Sequence, residues 1–293
     1  MTLSITKLHP TFAGEAGPID LRDVTDETAM AEIRSAMDEY AVLVFHDQKL
    51  SNEDQVEFAR RLGGVLHTNT GSKVLQKSRF ENDAVSDVSN VNAEGALLDP
   101  DDRRRLQGLG NRLWHTDASF HVPIARYSTL SAHVLPPDPP DTEFADMRAA
   151  YEALPEKRKA ELDGLSAYHS IAYSRATLGF EFTKEEQEKL GGTFQPLVRS
   201  HPGSKRKALY LGSYASMIDG MPVPEGRMVL HELMEHATKP QFVFSHKWQL
   251  KDLVIWDNRA TMHRATAFED KVHAREMRRV ATLDIDSDAP RAE

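Results

Sequence analysis

Segments with β-strand character lie near both ends of this chain, and helical segments are inserted between them instead of alternating with them. Residues 41–45 and 253–256 are short runs of mostly branched and aromatic side chains, and residues 126–135 alternate in part between apolar and polar ones. Further runs of this kind are residues 208–211, 242–244 and 280–283. A doubly wound parallel sheet requires strands that alternate with helices, so this order disfavours it. The pattern favours a mainly β fold with inserted helices.

The inserted segments have the periodicity or the end signals of α-helices. Residues 26–40 place Met30, Ile33 and Met37 on one helical face. Ser51 resembles an N-cap residue, because Asp54 follows three residues later and Gly63 provides a stop. Three further helices are predicted over residues 144–154, 156–165 and 226–237.

The chain is acidic and contains no cysteine. Its formal net charge of -9, without a long basic run, argues against nucleic acid or an anionic membrane surface as the main partner. A small anionic organic substrate remains compatible, since a local pocket can be basic on an acidic protein. Without cysteine there are no thiolate metal sites, so any metal ligands must be His, Asp or Glu.

The organisation of the chain predicts one domain over residues 1–293. No internal repeat, low-complexity tract or Gly/Ser linker divides it. The N-terminus lacks a basic segment followed by an apolar stretch, and no window reaches the length of a membrane span, which predicts a cytoplasmic protein. The sequence leaves a homo-oligomer open.

The segment around His115 and Asp117 carries the first indication of chemistry. In an extended strand, residues two apart point to the same side, so both side chains can reach one metal ion. By itself this pair is weak evidence, because a histidine two residues before an aspartate is frequent by chance and a lone histidine is more often solvated or hydrogen-bonded. The preceding Trp114, the strand-like flank and the His and Arg residues near the C-terminus favour the metal interpretation.

A distant histidine, His263, would complete a set of two histidines and one carboxylate on one face of a metal. That set leaves coordination positions open and is used by non-haem Fe(II) oxygenases. Strands far apart in sequence must then meet, which a two-sheet jelly roll achieves. We therefore predict a double-stranded β-helix (jelly roll) with the metal near its mouth.

Several motifs, spread over nearly the whole chain, resemble the Fe(II)- and 2-oxoglutarate-dependent dioxygenases of the taurine and 2,4-dichlorophenoxyacetate group. The resemblance is greatest to the branch that cleaves aryloxyacetates. The motifs are Leu113-Trp114-His115-Thr116-Asp117, Asp141-Thr142-Glu143-Phe144, Trp256-Asp257-Asn258-Arg259 leading to His263-Arg264, and Arg275-Glu276-Met277-Arg278-Arg279. The resemblance implies an enzyme that uses Fe(II), 2-oxoglutarate and O2.

The resemblance also implies roles for individual residues. His115, Asp117 and His263 would bind the iron. Thr142 and Arg275 would hold the far carboxylate of 2-oxoglutarate, through a hydroxyl donor and a charge-assisted fork.

Alternatives stand beside these roles. Thr142 could instead cap the helix predicted after it. Arg279 would bind the near carboxylate of 2-oxoglutarate or the anionic head of the substrate, and the alternative is that Arg278 and Arg279 form a solvated basic patch. Trp256, Asp257 and Asn258 are interpreted as structural, with a tryptophan packed beside the site and a polar turn that orients His263.

Candidate substrate contacts are Lys73, Asn90, His201 and Arg279. Lys73 falls in the loop where the aryloxyacetate enzymes have a lysine near the active site, and a surface lysine is the alternative. Ordinary loop or strand positions would explain Asn90 and His201 equally well.

The resemblance implies that 2-oxoglutarate is converted to succinate and CO2 while a substrate carbon gains a hydroxyl group. Next to an ether oxygen this yields a phenol and glyoxylate, so cleavage of an aryloxyacetate-type ether is the leading prediction. Hydroxylation of an alkylsulfonate, a sulfate ester or a natural-product carboxylate is the second, and a non-catalytic jelly-roll binding module is the third. The sequence departs from the family pattern at two places, and it does not determine whether they change specificity. Pro139-Pro140 stand where the family usually has two glycines, and no lysine occurs near Ala96 after Ser89-Asn90-Val91, which weakens the case for 2,4-dichlorophenoxyacetate itself.

Overall fold

The computed structural model describes residues 3–68 and 79–285, and its elements are mainly β-strands with helices inserted between them. The helices are α1 Glu27–Tyr40, α2 Asn52–Gly63, α3 Arg103–Gly108, α4 Met147–Glu152, α5 Glu156–Leu162, α6 Ile171–Ala176, α7 Lys184–Leu190 and α8 Val223–Ala237. The strands are β1 Ile5–Lys7, β2 Gly14–Ala16, β3 Val42–Phe45, β4 Val85–Ser89, β5 Ala125–Val134, β6 Thr142–Asp146, β7 Ser166–His169, β8 Thr193–Pro196, β9 Val198–Ser200, β10 Lys207–Leu209, β11 Ala215–Ile218, β12 Val243–His246, β13 Leu253–Asp257, β14 Thr261–Ala265 and β15 Glu276–Leu283.

A seven-stranded sheet forms one wall of the molecule, in the order β1-β2-β3-β13-β5-β15-β4. Its central strand β13 pairs antiparallel with β3, where Val254 lies opposite Val44, and with β5, where Val254 lies opposite Leu130. Strands from both ends of the chain are thus neighbours in one sheet. The predicted meeting of strands distant in sequence is observed.

The side chains of β3 alternate between the two faces of this sheet, as the period of two along a strand requires. Val42 and Val44 face a core shared with Trp256 and Phe144. Leu43, on the opposite face, belongs to a second core that α1 and α2 cover. A strand buried on both faces must be apolar throughout, and β3 is.

A three-stranded sheet, in the order β12-β6-β14, forms the facing wall. Phe144 of β6 points into the core between the two sheets, whereas the next residue, Ala145, points outward. Met262 of β14 also points outward, and helices α4 and α8 cover this outer face. Two sheets therefore enclose one shared core, with helical layers outside both, and the sheets do not close into a barrel.

The first two helices begin where the sequence predicts. Asp26 accepts a hydrogen bond from the backbone of Ala29 at 2.9 Å, and Ser51 and Asp54 form a reciprocal capping box. Helix α1 ends at Tyr40, and Ala41 closes it in the left-handed conformation with φ 57°. These ends depend on neighbouring residues only, which is why local patterns predict them.

The predicted helix over residues 144–154 is wrong at its first three residues. Residues up to Asp146 belong to β6, and α4 begins only at Met147 with Asp146 as its N-cap. β6 lies between β12 and β14, so Phe144 pairs with Phe244 on one side and with His263 on the other. Pairing with two distant strands outweighs the local helical preference, and the suggestion that Thr142 caps a helix falls with it.

In the part of the chain that the structure describes, no helix has the length and the apolar composition that crossing a bilayer requires.

Candidate active site

Three buried side chains converge between the two sheets: His115, Asp117 and His263. His115 Nε2 lies 4.0 Å from Asp117 Oδ1, and His263 Nε2 lies 4.0 Å from Asp117 Oδ2. Their ligand atoms all lie within 4.8 Å of one another, and no other group of three His, Cys, Asp or Glu in residues 3–68 and 79–285 meets this condition. The structure thus brings together the three residues predicted as metal ligands.

Backbone pairing fixes two of these residues side by side. His263 lies in β14, and its backbone exchanges hydrogen bonds of 3.0 and 2.8 Å with His115. This pairing is an isolated bridge, so the predicted extended strand through residues 114–117 is wrong as a regular element. Asp117 lies in a turn just after the bridge, and its side chain still reaches the site.

Burial keeps both imidazoles in the neutral form that a metal requires. The Nδ1 of His115 donates to the carbonyl of Leu113 at 2.7 Å, which leaves the lone pair of Nε2 for a metal. Burial lowers the pKa of His115 to about 4 and holds the pKa of His263 well below its usual range. Both rings are therefore neutral at neutral pH, and they fit a divalent metal.

The carboxylate of Asp117 is kept ionised by its neighbours. Burial raises its pKa, but Arg279 and the two histidines outweigh burial and lower the pKa to about 2. Ser128 donates to Oδ2 at 2.7 Å, and Arg279 donates to Oδ1. The site therefore combines one anionic and two neutral donors, a set that suits Fe(II).

Asn258 connects the residues around Asp117. Its Oδ1 accepts hydrogen bonds from the backbone N–H of Asp117 and from Trp256 Nε1, each at 3.0 Å. Its Nδ2 donates to Ser128 Oγ at 3.0 Å, the same hydroxyl that binds Asp117. The polar turn thus orients Asp117 rather than His263, which corrects the prediction, while the ring of Trp256 does pack on His263 at 4.6 Å between centroids.

We expect Asn258→Ala to weaken Fe(II) binding by about 10- to 100-fold, because supporting contacts of this kind orient the ligands of a metal. Anaerobic titration with Fe(II) measures the effect. Asn92→Ala is the matched control, since among the described residues that side chain accepts hydrogen bonds only within its own loop. Unchanged affinity in Asn258→Ala would show that Asp117 is positioned without this contact.

Arg275 and Thr142 line the same cavity as the three candidate ligands. Arg275 is buried, and burial lowers its pKa to about 10. Its Nε has no hydrogen-bond partner among the described residues. Thr142 Oγ1 accepts from Trp248 Nε1 at 2.9 Å, so its own hydrogen remains available to a ligand. An unpaired buried cation beside a hydroxyl donor fits the carboxylate of 2-oxoglutarate.

Asn90 lies in the cavity wall, but its carboxamide is engaged elsewhere. Nδ2 donates to the carbonyls of Asp270 and His273, each at 2.8 Å, and Oδ1 accepts from the backbone N–H of Arg275 at 2.8 Å. The prediction of a substrate contact is corrected accordingly. Asn90 fixes the segment that presents Arg275.

His201 is also corrected, because it is not part of the cavity wall. It is buried, and its two ring nitrogens contact Asp257 and Ser204, each at 3.0 Å. Its hydrogen bonds therefore tie the buried residue Asp257 to the loop around Ser204. Lys73, the other predicted substrate contact, lies outside the described residues.

Arg279 points into the cavity, and its partner here is Asp117 rather than a solvated surface. Its Nε is buried without a hydrogen-bond partner among the described residues. A guanidinium has five N–H donors, so contact with Asp117 leaves donors for an anion bound beside the metal. The alternative of a solvated basic patch does not hold for Arg279.

The cavity has a volume of about 210 Å³, and its wall is basic although the chain is acidic. Six arginines and three aspartates line it among the described residues. The arginines are Arg104, Arg105, Arg112, Arg175, Arg275 and Arg279. Such a wall favours small anionic ligands.

Sequence reasoning did not find several residues of this site. Ser128 contacts Asp117, Trp248 contacts Thr142, and Arg175 lines the cavity. Ser128 is one of several small polar residues in β5, so no local pattern distinguishes it. For Trp248 the sequence signal is its residue type alone, because the N–H of a buried tryptophan usually needs a hydrogen-bond acceptor.

Comparisons with known proteins cover nearly the whole chain. The family model described as taurine catabolism dioxygenase TauD, TfdA family matches residues 4–281. The chain is 44% identical to the alpha-ketoglutarate-dependent 2,4-dichlorophenoxyacetate dioxygenase of Cupriavidus pinatubonensis, over 97% of this chain and 99% of that protein. It is 35% identical to the (S)-phenoxypropionate/alpha-ketoglutarate-dioxygenase of Sphingobium herbicidovorans, over 90% of each.

A solved structure gives the same result for the fold. The crystal structure of AAD-2 in complex with Mn(II) and N-oxalylglycine matches with a TM-score of 0.92 and 46% identity, and the match covers 97% of this chain and 98% of that one. The predicted jelly roll is confirmed.

Proposed function

This chain belongs to the taurine catabolism dioxygenase TauD, TfdA family, and we propose that it cleaves an aryloxyacetate-type ether to a phenol and glyoxylate. The family and the relatives confirm the prediction of an Fe(II)- and 2-oxoglutarate-dependent dioxygenase. The match of one family model over residues 4–281 supports the proposal that residues 1–293 form a single domain.

The observation that carries the proposal is the basic cavity beside His115, Asp117 and His263, in a chain with full-length similarity to a 2,4-dichlorophenoxyacetate dioxygenase. An aryloxyacetate combines an apolar ring with one carboxylate. The cavity wall offers arginines for the carboxylate and apolar side chains, such as Phe120 and Ile171, for the ring.

In this proposal His115, Asp117 and His263 hold the iron. Bound Fe(II), with 2-oxoglutarate and O2, supplies the oxidation that places a hydroxyl group on a substrate carbon and yields succinate and CO2. Arg275 and Thr142 hold the far carboxylate of 2-oxoglutarate, and Arg279 supports an anion beside the metal. These buried charged groups would orient both substrates relative to the metal.

The later step needs no side chain as a general base. A hydroxyl group on the carbon next to the ether oxygen forms a hemiacetal, which releases the phenol and leaves glyoxylate. The protein therefore has to orient one C–H bond toward the metal, and this depends on where the carboxylate of the substrate is held.

Release of succinate with a panel of anions tests the proposal. We expect phenoxyacetates to stimulate succinate formation, with one phenol released per turnover, and alkyl sulfates and taurine to leave it at the background rate. Stimulation by an alkyl sulfate or by taurine, with the phenoxyacetates inert, would contradict ether cleavage and select hydroxylation of a sulfate ester or sulfonate. Absence of turnover with intact Fe(II) binding would favour a binding module.

A further inference from the structure

Arg175, in α6, is a buried arginine whose side chain reaches the wall of the active-site cavity. Its Nε donates to the carbonyl of Gln107 at 2.9 Å, and its Nη1 donates to Ser174 Oγ at 3.3 Å. Its Cζ lies 5.8 Å from the ring centroid of Tyr214. All of these partners are electrically neutral.

No carboxylate lies within ion-pair distance of Arg175 in residues 3–68 and 79–285. The other cavity arginines differ in this respect. Arg105 and Arg112 both contact Asp270, at 3.0 and 3.5 Å. Arg104 pairs with Asp102, and Arg279 with Asp117. Only Arg175 and Arg275 line the described cavity without a carboxylate partner, and a buried charge without one is costly.

The backbone at Gly110 leaves space for the guanidinium of Arg175, because glycine has no side chain. A Cβ atom on Gly110 would lie 2.1 Å from Arg175 Cζ and 2.3 Å from its Nε. Only a residue without a side chain lets the guanidinium lie against the backbone there. Ser174 is itself anchored, since its hydroxyl donates to Ser213 Oγ at 2.9 Å. Because the buried charge of Arg175 is costly and its position is fixed, we expect an anionic ligand to bind beside it.

Arg175 lies close to the candidate iron ligands. The ring of Tyr214, against which it packs, contacts the ring of His115 edge-on at 5.8 Å between centroids. Arg275 is already assigned to the far carboxylate of 2-oxoglutarate. The remaining unpaired cation is therefore available to the second organic anion that the reaction needs, the substrate.

We infer that Arg175 binds the carboxylate of the substrate and thereby determines which carbon faces the metal. This inference rests on the proposed function and names the residue that selects an anionic substrate. The planar guanidinium matches a carboxylate with two parallel N–H donors. Gln107, Ser174 and the side chain of Tyr214 hydrogen-bond to Arg175, and these three contacts do not use all five of its N–H groups.

Calorimetric binding to the protein loaded with Mn(II) and N-oxalylglycine tests the inference without turnover. The probes are 2,4-dichlorophenoxyacetate and its neutral amide, which has the same ring but no charge. We expect the wild-type protein to prefer the carboxylate. Arg175→Gln should weaken carboxylate binding by about 10- to 100-fold and leave amide binding unchanged, because a charged hydrogen-bond partner is lost. Arg175→Lys should restore part of the preference.

Two glycines provide a matched pair of steric variants. Gly110→Ala keeps the charge but displaces the guanidinium, so it should also reduce the preference for the carboxylate. A Cβ on Gly108, two residues earlier, would meet no atom within 4 Å, so Gly108→Ala should bind both probes as the wild type does.

Three results would overturn the inference. The first is an unchanged preference for the carboxylate in Arg175→Gln. The second is weaker binding of N-oxalylglycine with unchanged discrimination between the probes, which would assign Arg175 to the cosubstrate. The third is an equal weakening of the binding of both probes, which would show that Arg175 has only a structural role.

The proposed function can fail separately. If the wild-type protein binds an alkyl sulfate or taurine but no aryloxyacetate, ether cleavage is wrong. The inference that Arg175 holds the substrate anion then stands if Arg175→Gln no longer binds that anion, and it is wrong if the variant still binds it. If none of these anions binds the wild-type protein, both proposals are wrong.

Discussion

His115→Ala should abolish Fe(II) binding and lower turnover of 2-oxoglutarate by more than ~10³-fold, since the metal supplies several kcal/mol of catalysis and each 1.36 kcal/mol is about tenfold in rate. Nε2 of His115 faces Asp117 and His263, and no other His, Cys, Asp or Glu among the described residues belongs to this group. No side chain in the described part of the site replaces the lost ligand.

Anaerobic Fe(II) titration and succinate assay measure this effect, and thermal unfolding shows whether the variant remains folded. His231→Ala is the control, because that histidine is exposed on α8 and, in the part of the chain that the structure describes, its ion-pair partner is Glu235. A folded His115→Ala protein that still binds Fe(II) and turns over 2-oxoglutarate would contradict the assignment of the metal site. Ligand binding unchanged in a folded, iron-free variant would favour the non-catalytic module.

Arg275→Gln should raise the KM for 2-oxoglutarate by about 10- to 100-fold, because charged hydrogen bonds contribute about 1.5–3 kcal/mol. The same variant should unfold at a higher temperature than the wild-type protein when no cosubstrate is present. Burial lowers the pKa of Arg275 to about 10, so the folded state holds the charged form at a cost. At neutral pH the group is protonated in both states, and this cost is fully present.

Steady-state kinetics and thermal unfolding with and without N-oxalylglycine test both parts of this prediction. Removal of a destabilisation of ~1 kcal/mol from the folded state corresponds to a rise on the order of 2–4 °C in the unfolding temperature. Arg278→Gln is the neighbouring control, since Arg278 contacts Glu276 and Asn52 instead of the cavity. An unchanged KM for 2-oxoglutarate in Arg275→Gln would remove this residue from the cosubstrate site.

The local elements of the fold could be predicted where short-range interactions decide them. Helices α1 and α2 begin at capping residues three positions from their partners, and β3 is apolar on both faces. Residues 144–146 could not be predicted in this way. Their helical spacing is local, but pairing with β12 and β14, about 100 residues away, decides their conformation.

The candidate site likewise has features that the sequence predicted and features that it did not. The spacing of His115 and Asp117, together with the distant His263, predicted which residues meet, and the structure brings them together. The contacts of Asn258 and Asn90 could not be predicted, because they join segments more than 100 residues apart and leave no local pattern. Asn258 positions Asp117 instead of His263, and Asn90 holds the segment of Arg275 where a substrate contact was expected.

The sequence by itself predicted the three candidate metal ligands, the ends of the first helices and the resemblance that names the cosubstrate, because these depend on residue type and short spacing. Only the tertiary structure decided which charges remain unpaired. Arg105 is neutralised by Asp270, 165 residues later, whereas Arg175 lies against Gly110 and meets no acid among the described residues. The electrostatics of a buried group depend on neighbours in space, and those neighbours exist only once distant segments have packed together.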